Sequence, residues 1–96
     1  MNVQEFEIAL RKDGFVEVLT RQQPPGYFLD DHQHAFDARA LIIDGDITLT
    51  LNGSARIYPP GTVFELPAGL PHLEQAGPLG VTYLVGRRSR VAARFA

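Results

Sequence analysis

Closely spaced turn-forming residues are the feature that most constrains the fold of this chain. Pro24-Pro25-Gly26, Pro59-Pro60-Gly61 and Pro67-Ala68-Gly69 each interrupt it, because proline fixes φ and glycine adopts positive φ without steric cost. Asn52-Gly53 is a strong hairpin signal, and Asp44-Gly45 predicts a second turn of the same kind. Only short strands fit between breaks at such intervals. The pattern therefore predicts an all-β sandwich or barrel rather than alternating strands and helices.

The segments between these turns carry strand patterns. Residues 47–51 alternate aliphatic side chains with threonine, which indicates a strand with one buried face. Residues 15–21, 72–75 and 81–85 are also predicted to be strands. The sequence Gly-Pro-Leu-Gly at 77–80 predicts a loop between the last two.

The first 14 residues predict a short amphipathic helix. Asn2 is a suitable N-cap, Glu5 three positions later completes a capping box, and Gly14 ends the helix. Apolar side chains share one face of it: Val3, Phe6 and Leu10. Residues 40–43 are apolar on both faces of a strand. One face should line a barrel, and the other should pack against this helix or against a second subunit.

Length and composition fit one domain, residues 1–96, of an ordinary globular protein. Of its 96 residues, 45% are hydrophobic and 21% charged, which is typical of such domains. A formal charge of −2 gives no electrostatic reason to bind nucleic acid or an anionic membrane. Cysteine is absent, so disulfides and thiolate ligands are excluded. Nothing resembles a signal peptide or a membrane span, and we therefore predict a cytoplasmic protein.

The three histidines of the chain are spaced so that they can meet. His32 and His34 are two residues apart, so on a strand both side chains project from the same face. His72 follows the last Pro/Gly turn and would come from a separate strand. Two imidazoles on one face and a third from a distant strand form a common transition-metal site. We therefore predict His32, His34 and His72 as metal ligands.

The residues around these histidines resemble the two sequence motifs of the cupin family. The first motif is a glycine, five residues, His-x-His and a closing glycine. In this chain its residues are Gly26, His32-Gln33-His34 and Gly45. The second motif is a glycine, five residues, Pro-x-Gly, two residues and a histidine. Its residues here are Gly61, Pro67-Ala68-Gly69 and His72. The resemblance covers residues 26–76.

The resemblance implies a small cupin barrel (a double-stranded β-helix, or jelly roll) over residues 15–86, and a homodimer. Two positions depart from the motifs, because Ala38 stands where the family has a metal-binding Glu and Ala76 where it has Asn. The implied site is then three neutral imidazoles around a divalent iron, manganese, nickel or zinc ion. Such three-histidine sites occur among non-haem iron dioxygenases. The implied chemistry is dioxygenase-like, on a small anionic or chelating substrate.

Glu74 is the carboxylate best placed to join the histidines. It lies two residues after His72, so strand parity puts both side chains on one face. It could be a fourth ligand, a partner of an imidazole, or a general base, and we take it as the catalytic candidate. A carboxylate at the rim, in water, is the alternative. Asp37 would need a β-bulge to turn inward, so we prefer Glu74.

Four aromatic residues are candidates for lining a pocket: Tyr27, Phe36, Phe64 and Tyr83. A tyrosine hydroxyl could donate a hydrogen bond to a substrate, although core packing alone would also explain these residues. Arg39 follows Ala38 and is predicted to point out of the barrel.

Residues 87–96 are predicted to be a basic C-terminal tail. The tail holds four arginines: Arg87, Arg88, Arg90 and Arg94. A solvated, frayed terminus explains them without a partner, and a patch for an acidic partner is the alternative. Val91 and Phe95 could dock the tail as a final helical turn.

Two rival functions fit the same sequence. The first is a non-enzymatic barrel that binds or senses a small ligand, and the missing Glu and the arginine-rich tail motivate it. The second is an inert barrel with a degenerate metal site. The barrel architecture does not choose among these functions, because one fold hosts many chemistries.

Overall fold

The computed structural model describes residues 1–89, which form one helix and six strands. Helix α1 spans Val3–Lys12, and the strands are β1 (Glu17–Gln23), β2 (Phe28–His32), β3 (Phe36–Leu51), β4 (Ser54–Tyr58), β5 (Val63–Leu66) and β6 (His72–Ser89). The predicted all-β fold with a short N-terminal helix is confirmed. Within residues 1–89, no helix is both long enough and apolar enough to cross a membrane.

Two long antiparallel strands, β3 and β6, organise the sheet. The first half of β3 pairs with the second half of β6, and the second half of β3 pairs with the first half of β6. Strands β1 and β5 flank the former pair, whereas β2 and β4 flank the latter. One buried cluster takes side chains from both halves, including Ala40, Ile42, Ile47, Leu49 and Val85. The two four-stranded halves therefore enclose a single barrel core.

A bulge between the halves lets both long strands bend. The register of the β3–β6 pair shifts on both sides of Asp44, and Gly45 and Gly80 have φ of 71° and 77°. A Cβ at Gly45 would lie 2.0 Å from the carbonyl oxygen of Gly80, so the backbones cross too closely for any side chain. The predicted turn at Asp44-Gly45 and the predicted loop at residues 77–80 are wrong. Here positive φ bends continuous strands instead of reversing the chain.

The other predicted turns are confirmed. Asn52 and Gly53, with φ of 51° and 78°, join β3 to β4 in a two-residue hairpin. The segment 59–61 connects β4 to β5, and the segment 67–69 connects β5 to β6.

Helix α1 packs on the outer face of the barrel. The predicted capping box is present. The Asn2 side chain accepts a hydrogen bond from the Glu5 amide at 2.8 Å, and the Glu5 carboxylate accepts one from the Asn2 amide at 3.1 Å. Apolar residues of the helix and barrel then form a second buried cluster: Phe6, Leu10, Phe15, Leu41 and Leu84. Leu41 faces this cluster while its neighbours Ala40 and Ile42 face the core. The helix thus covers Leu41 on the outer face of residues 40–43, whereas Ile43 on the same face remains exposed.

Two arginines on the outside of the barrel clamp the ring of Phe15. The guanidinium of Arg39 lies 4.7 Å from the ring centroid, and that of Arg88 lies 4.4 Å from it. Arg39 pairs with Asp13 and Glu65, which confirms that it points away from the core. These contacts fasten the end of α1 to the sheet.

Strand β6 continues to Ser89, beyond the predicted barrel boundary at residue 86. Arg87 and Arg88 are therefore strand residues and do not belong to a tail. Arg88 pairs with the buried carboxylate of Asp37 at 3.0 Å, which explains why Asp37 turns outward. Arg90 and Arg94, and the docking predicted for Val91 and Phe95, lie outside the described residues.

Candidate metal centre

Both motif segments meet at one end of the barrel. His32, the last residue of β2, stands opposite His72, the first residue of β6. His34 lies beyond the end of β2, so the strand geometry predicted for the His-x-His pair is wrong for His34. Its carbonyl instead accepts a hydrogen bond from the Gly69 amide at 2.9 Å. The Pro-x-Gly turn of one motif therefore holds His34 of the other motif beside His72.

Three imidazoles and one carboxylate converge. The ring centroids of His32 and His72 are 4.2 Å apart, and that of His34 lies 4.9 Å and 5.2 Å from them respectively. Oε2 of Glu74 lies 3.5 Å from Nε2 of His72 and 3.7 Å from Nε2 of His32. The candidate ligand atoms of all four residues lie within 4.8 Å of one another.

Two of the imidazoles have their tautomer fixed by the backbone. Nδ1 of His32 lies 2.7 Å from the carbonyl oxygen of Asp30, and Nδ1 of His72 lies 2.9 Å from that of Leu70. A carbonyl only accepts, so Nδ1 carries the proton and Nε2 of the neutral ring presents a lone pair. Both Nε2 atoms are buried without a hydrogen-bond partner among the described residues. Metal-binding histidines commonly show this arrangement, with the distal nitrogen donating to a carbonyl.

Glu74 is buried, with an exposed fraction of 9%, which excludes the alternative of a rim carboxylate in water. The Tyr27 hydroxyl donates a hydrogen bond to Oε1 of Glu74 at 3.2 Å, which leaves Oε2 facing the histidines. Burial, together with the negative charge of Glu74, raises the pKa of Tyr27 to about 12. The hydroxyl therefore keeps its proton near neutral pH and remains a donor.

His34 lies closer to solvent than His72 and rests on an aromatic ring. It stacks on Phe36 with centroids 4.7 Å apart and an interplanar angle of 20°. Burial and the two other imidazoles lower the pKa of His34. This favours the neutral imidazole, which is the form that binds metals.

Ala38 lines the cavity that opens beside the histidines, as strand parity predicted for the position of the family's Glu. It lies on β3, where it pairs with Arg87 of β6. The only carboxylate that joins the histidines within residues 1–89 is Glu74 of β6. Ala76, at the position of the second departure, is buried in the barrel core.

A cavity of about 100 Å³ opens beside the histidines. All four predicted aromatic residues line it: Tyr27, Phe36, Phe64 and Tyr83. Arg21 and Arg87 also line it, and neither was predicted as a site residue. The alternation of side chains along a strand could have identified Arg87 as a cavity residue, since it follows Tyr83 and Val85 at two-residue steps on β6. A larger depression of about 400 Å³ lies beside Leu79, but no histidine lines it. The smaller cavity, which His34 and Glu74 line, is therefore the better candidate for the functional site.

No protein-family model matches this chain, and no curated protein matches it. Solved structures with the same architecture include a cupin-like protein from Thermotoga maritima (25% identity, TM-score 0.64, 78% of this chain and 57% of that one). A cupin-2 domain protein from Shewanella frigidimarina shares 15% identity (TM-score 0.63, 76% and 69%). The DMSP lyase DddQ from Ruegeria pomeroyi shares 24% identity (TM-score 0.68), and the matched region covers 77% of this chain but only 38% of that enzyme. At such identities the likeness concerns the fold.

Proposed function

We propose that this chain, a small cupin by its barrel fold, holds a divalent transition metal through His32, His34, His72 and Glu74. The metal would be iron, manganese, nickel or zinc, and it would serve to bind and activate a small anionic substrate. One observation carries the proposal. Nε2 of His32 and Nε2 of His72 lie 3.7 Å and 3.5 Å from one carboxylate oxygen of Glu74, and neither nitrogen has a hydrogen-bond partner among residues 1–89. Such electron-rich groups repel one another unless a proton or a metal cation lies between them, and a metal ion is the occupant that can bind all of them at once.

The spread of the four candidate ligands suits such an ion. With bonds of about 2.0–2.2 Å, the ligand atoms around one ion lie roughly 3–4.4 Å apart. The observed limit of 4.8 Å needs only a small inward movement of the side chains. The bound set would be three imidazoles and one carboxylate, with Glu74 of β6 replacing the carboxylate that the family has at position 38.

The side chains of the site would hold and orient the ligands. The carbonyls of Asp30 and Leu70 keep the two Nε2 atoms free to bind metal, and Tyr27 orients Glu74. A bound metal supplies Lewis acidity, which polarises a substrate oxygen and stabilises negative charge that develops on it. The aromatic rings around the cavity limit the access of water to bound substrate.

Oxygenation of a small substrate by dioxygen is the reaction class that we assign to this site, because three-histidine cupin-type sites occur among non-haem iron dioxygenases. This reaction would require iron, manganese or nickel, since zinc has no redox chemistry. One of the solved structures with this fold is named a DMSP lyase, so a substrate screen should also include elimination reactions. A protein that retains metal and ligand but turns over no substrate would instead be a sensor or carrier.

We further propose that the protein is a cytoplasmic homodimer. Several exposed aliphatic side chains on the sheet would be covered in a dimer: Ile43, Ile57 and Val63. Light scattering on a size-exclusion column measures the mass directly. A mass near twice 10.6 kDa supports the dimer, and a mass of one chain at micromolar concentration contradicts it.

Elemental analysis of the purified protein tests the metal site. We expect about one transition-metal ion per chain in the wild type and near none in His72→Ala, because this variant removes a buried ligand. Glu65→Gln is the matched control, since Glu65 pairs with Arg39 outside the cavity. Circular dichroism establishes that each variant is folded. A wild type that remains metal-free after anaerobic incubation with iron or zinc would overturn the proposal.

A further inference from the structure

We propose that Arg21 and Arg87 form a carboxylate-binding subsite in the cavity beside the histidines. The substrate class that follows is a short-chain carboxylic acid whose other end carries the group that approaches the metal. This inference rests on the proposed function and names the substrate class of that site.

Adjacent strands bring the two arginines to one cavity. Arg21 of β1 stands opposite Tyr83 of β6, and Arg87 lies four residues farther along β6. Both side chains line the same cavity as His34 and Glu74. A planar carboxylate bound in this cavity could therefore accept two parallel hydrogen bonds from a guanidinium, which is the pairing that arginine favours.

The side chain of Arg87 packs on an aromatic ring that also contacts one of the candidate metal ligands. Its guanidinium lies 4.8 Å from the centroid of the Phe36 ring, and Phe36 stacks in turn on His34. It also pairs with Glu17 at 3.2 Å, but that carboxylate is 61% exposed. An exposed ion pair of this kind contributes little free energy, so a ligand carboxylate can compete for Arg87.

Arg21 has no such partner. Among residues 1–89 no carboxylate forms an ion pair with it, and its solvent-exposed side chain forms part of the cavity lining. A guanidinium without a carboxylate partner beside a cavity favours an anionic occupant.

Charge balance points the same way. The cavity has one buried carboxylate, Glu74, against two guanidinium groups, and Glu17 offsets only one of these from the outside. A bound divalent ion would add two further positive charges. A carboxylate ligand would reduce this excess, whereas a neutral or cationic ligand would not.

The size and lining of the cavity limit the ligand to a short chain. Its volume of about 100 Å³ is well below the roughly 300 Å³ at which sites for drug-sized ligands begin. Apolar side chains lie between the polar ends: Leu29, Phe36 and Val85. An acid with a backbone of about three carbons fits these limits.

The experiment compares 3-hydroxypropanoate with its neutral amide, 3-hydroxypropanamide, by calorimetric titration into the zinc-loaded protein. We expect the acid to bind at least about tenfold more tightly than the amide. Arg21→Gln and Arg87→Gln should each weaken acid binding about tenfold and weaken amide binding less, because the amide lacks the negative charge that pairs with the guanidinium. Arg56→Gln is the matched control, because Arg56 stacks on Tyr58 of β4 and does not line the cavity.

Zinc content, measured in the same samples, separates this inference from the proposed function. Neither arginine is a ligand, so both variants should retain zinc, and variants that lose zinc together with acid binding would overturn the subsite. Equal acid affinity in all zinc-loaded variants would also overturn it. If the wild type binds no zinc, NMR of the guanidinium NεH signals during titration with propanoate still tests the subsite. Shifts of Arg21 and Arg87 alone support it, and unchanged spectra refute it.

Discussion

At the scale of single residues, the position of one carboxylate distinguishes this site from the family motif. Ala38 is buried against the cavity at the family's Glu position, while Glu74 meets the histidines from the other long strand. Positions 38 and 74 line the same cavity, so a carboxylate at either could face the same ion. An ion bound here would need the charge of a carboxylate more than it would need a particular strand to supply it.

Moving the carboxylate tests this interpretation. Glu74→Gln should weaken zinc binding by at least about 100-fold, since it removes the charged ligand and even supporting partners of ligands contribute 10- to 100-fold. Ala38→Glu in the Glu74→Gln background should raise zinc affinity again by at least about tenfold, which is half of that loss on a logarithmic scale. Competition titration with a chromogenic chelator measures both values, and Glu65→Gln should bind zinc as the wild type does. Wild-type affinity in Glu74→Gln would contradict the role of Glu74.

At the scale of elements, the bend in β3 and β6 closes the barrel. Without the bulge at Gly45, the two halves of each long strand would continue in one direction and could not share a core. The bend also brings the start of β6, with His72 and Glu74, over the cavity lined by its later residues. The strand register thus places the candidate metal ligands and both arginines beside one cavity.

Alanine substitutions at two glycines distinguish the energetic cost of a positive φ alone from the added cost of the close backbone crossing at the bulge. Gly53→Ala should lower the free energy of unfolding by about 1 kcal/mol, because φ is positive but nothing lies within 4 Å of the new Cβ. Gly45→Ala has a similar φ and adds a clash with the Gly80 carbonyl, so we expect a loss of at least about 3 kcal/mol. Urea unfolding followed by circular dichroism measures both. Equal losses would show that the close crossing is not required.

At the scale of the whole molecule, the metal centre would add a cross-link between β2, the connection that follows it and β6, in addition to the strand pairing of β2 with β6. His32 ends β2, His34 lies in the connection that follows, and β6 supplies His72 and Glu74. An ion bound to all four would link one edge of the barrel to a central strand. Metal affinity would then add directly to folding stability, because the unfolded chain lacks the assembled site.

Thermal unfolding measures the contribution of metal binding to folding stability. At free zinc of 100 times the dissociation constant, the stabilisation is about 2.7 kcal/mol, which should raise the Tm of a domain of this size by roughly 10–20 °C. Calcium prefers oxygen ligands and should not raise it. His72→Ala should show no zinc-dependent shift. A zinc-dependent shift of the same size in that variant would mean that the ion binds elsewhere.

The sequence alone was sufficient for the all-β fold, the capped helix and most turns, because proline, glycine and capping residues act locally. Motif spacing and strand parity also predicted that His72 and Glu74 share a face and that position 38 faces the interior. Tertiary structure decided what depends on contacts between distant segments. Asp44-Gly45 became a bulge because β6 crosses there, and His34 reached the site through the Gly69 amide rather than through a strand. Arg21 and Arg87 became candidates for ligand binding only because two strands carry them to one cavity, which no local pattern encodes.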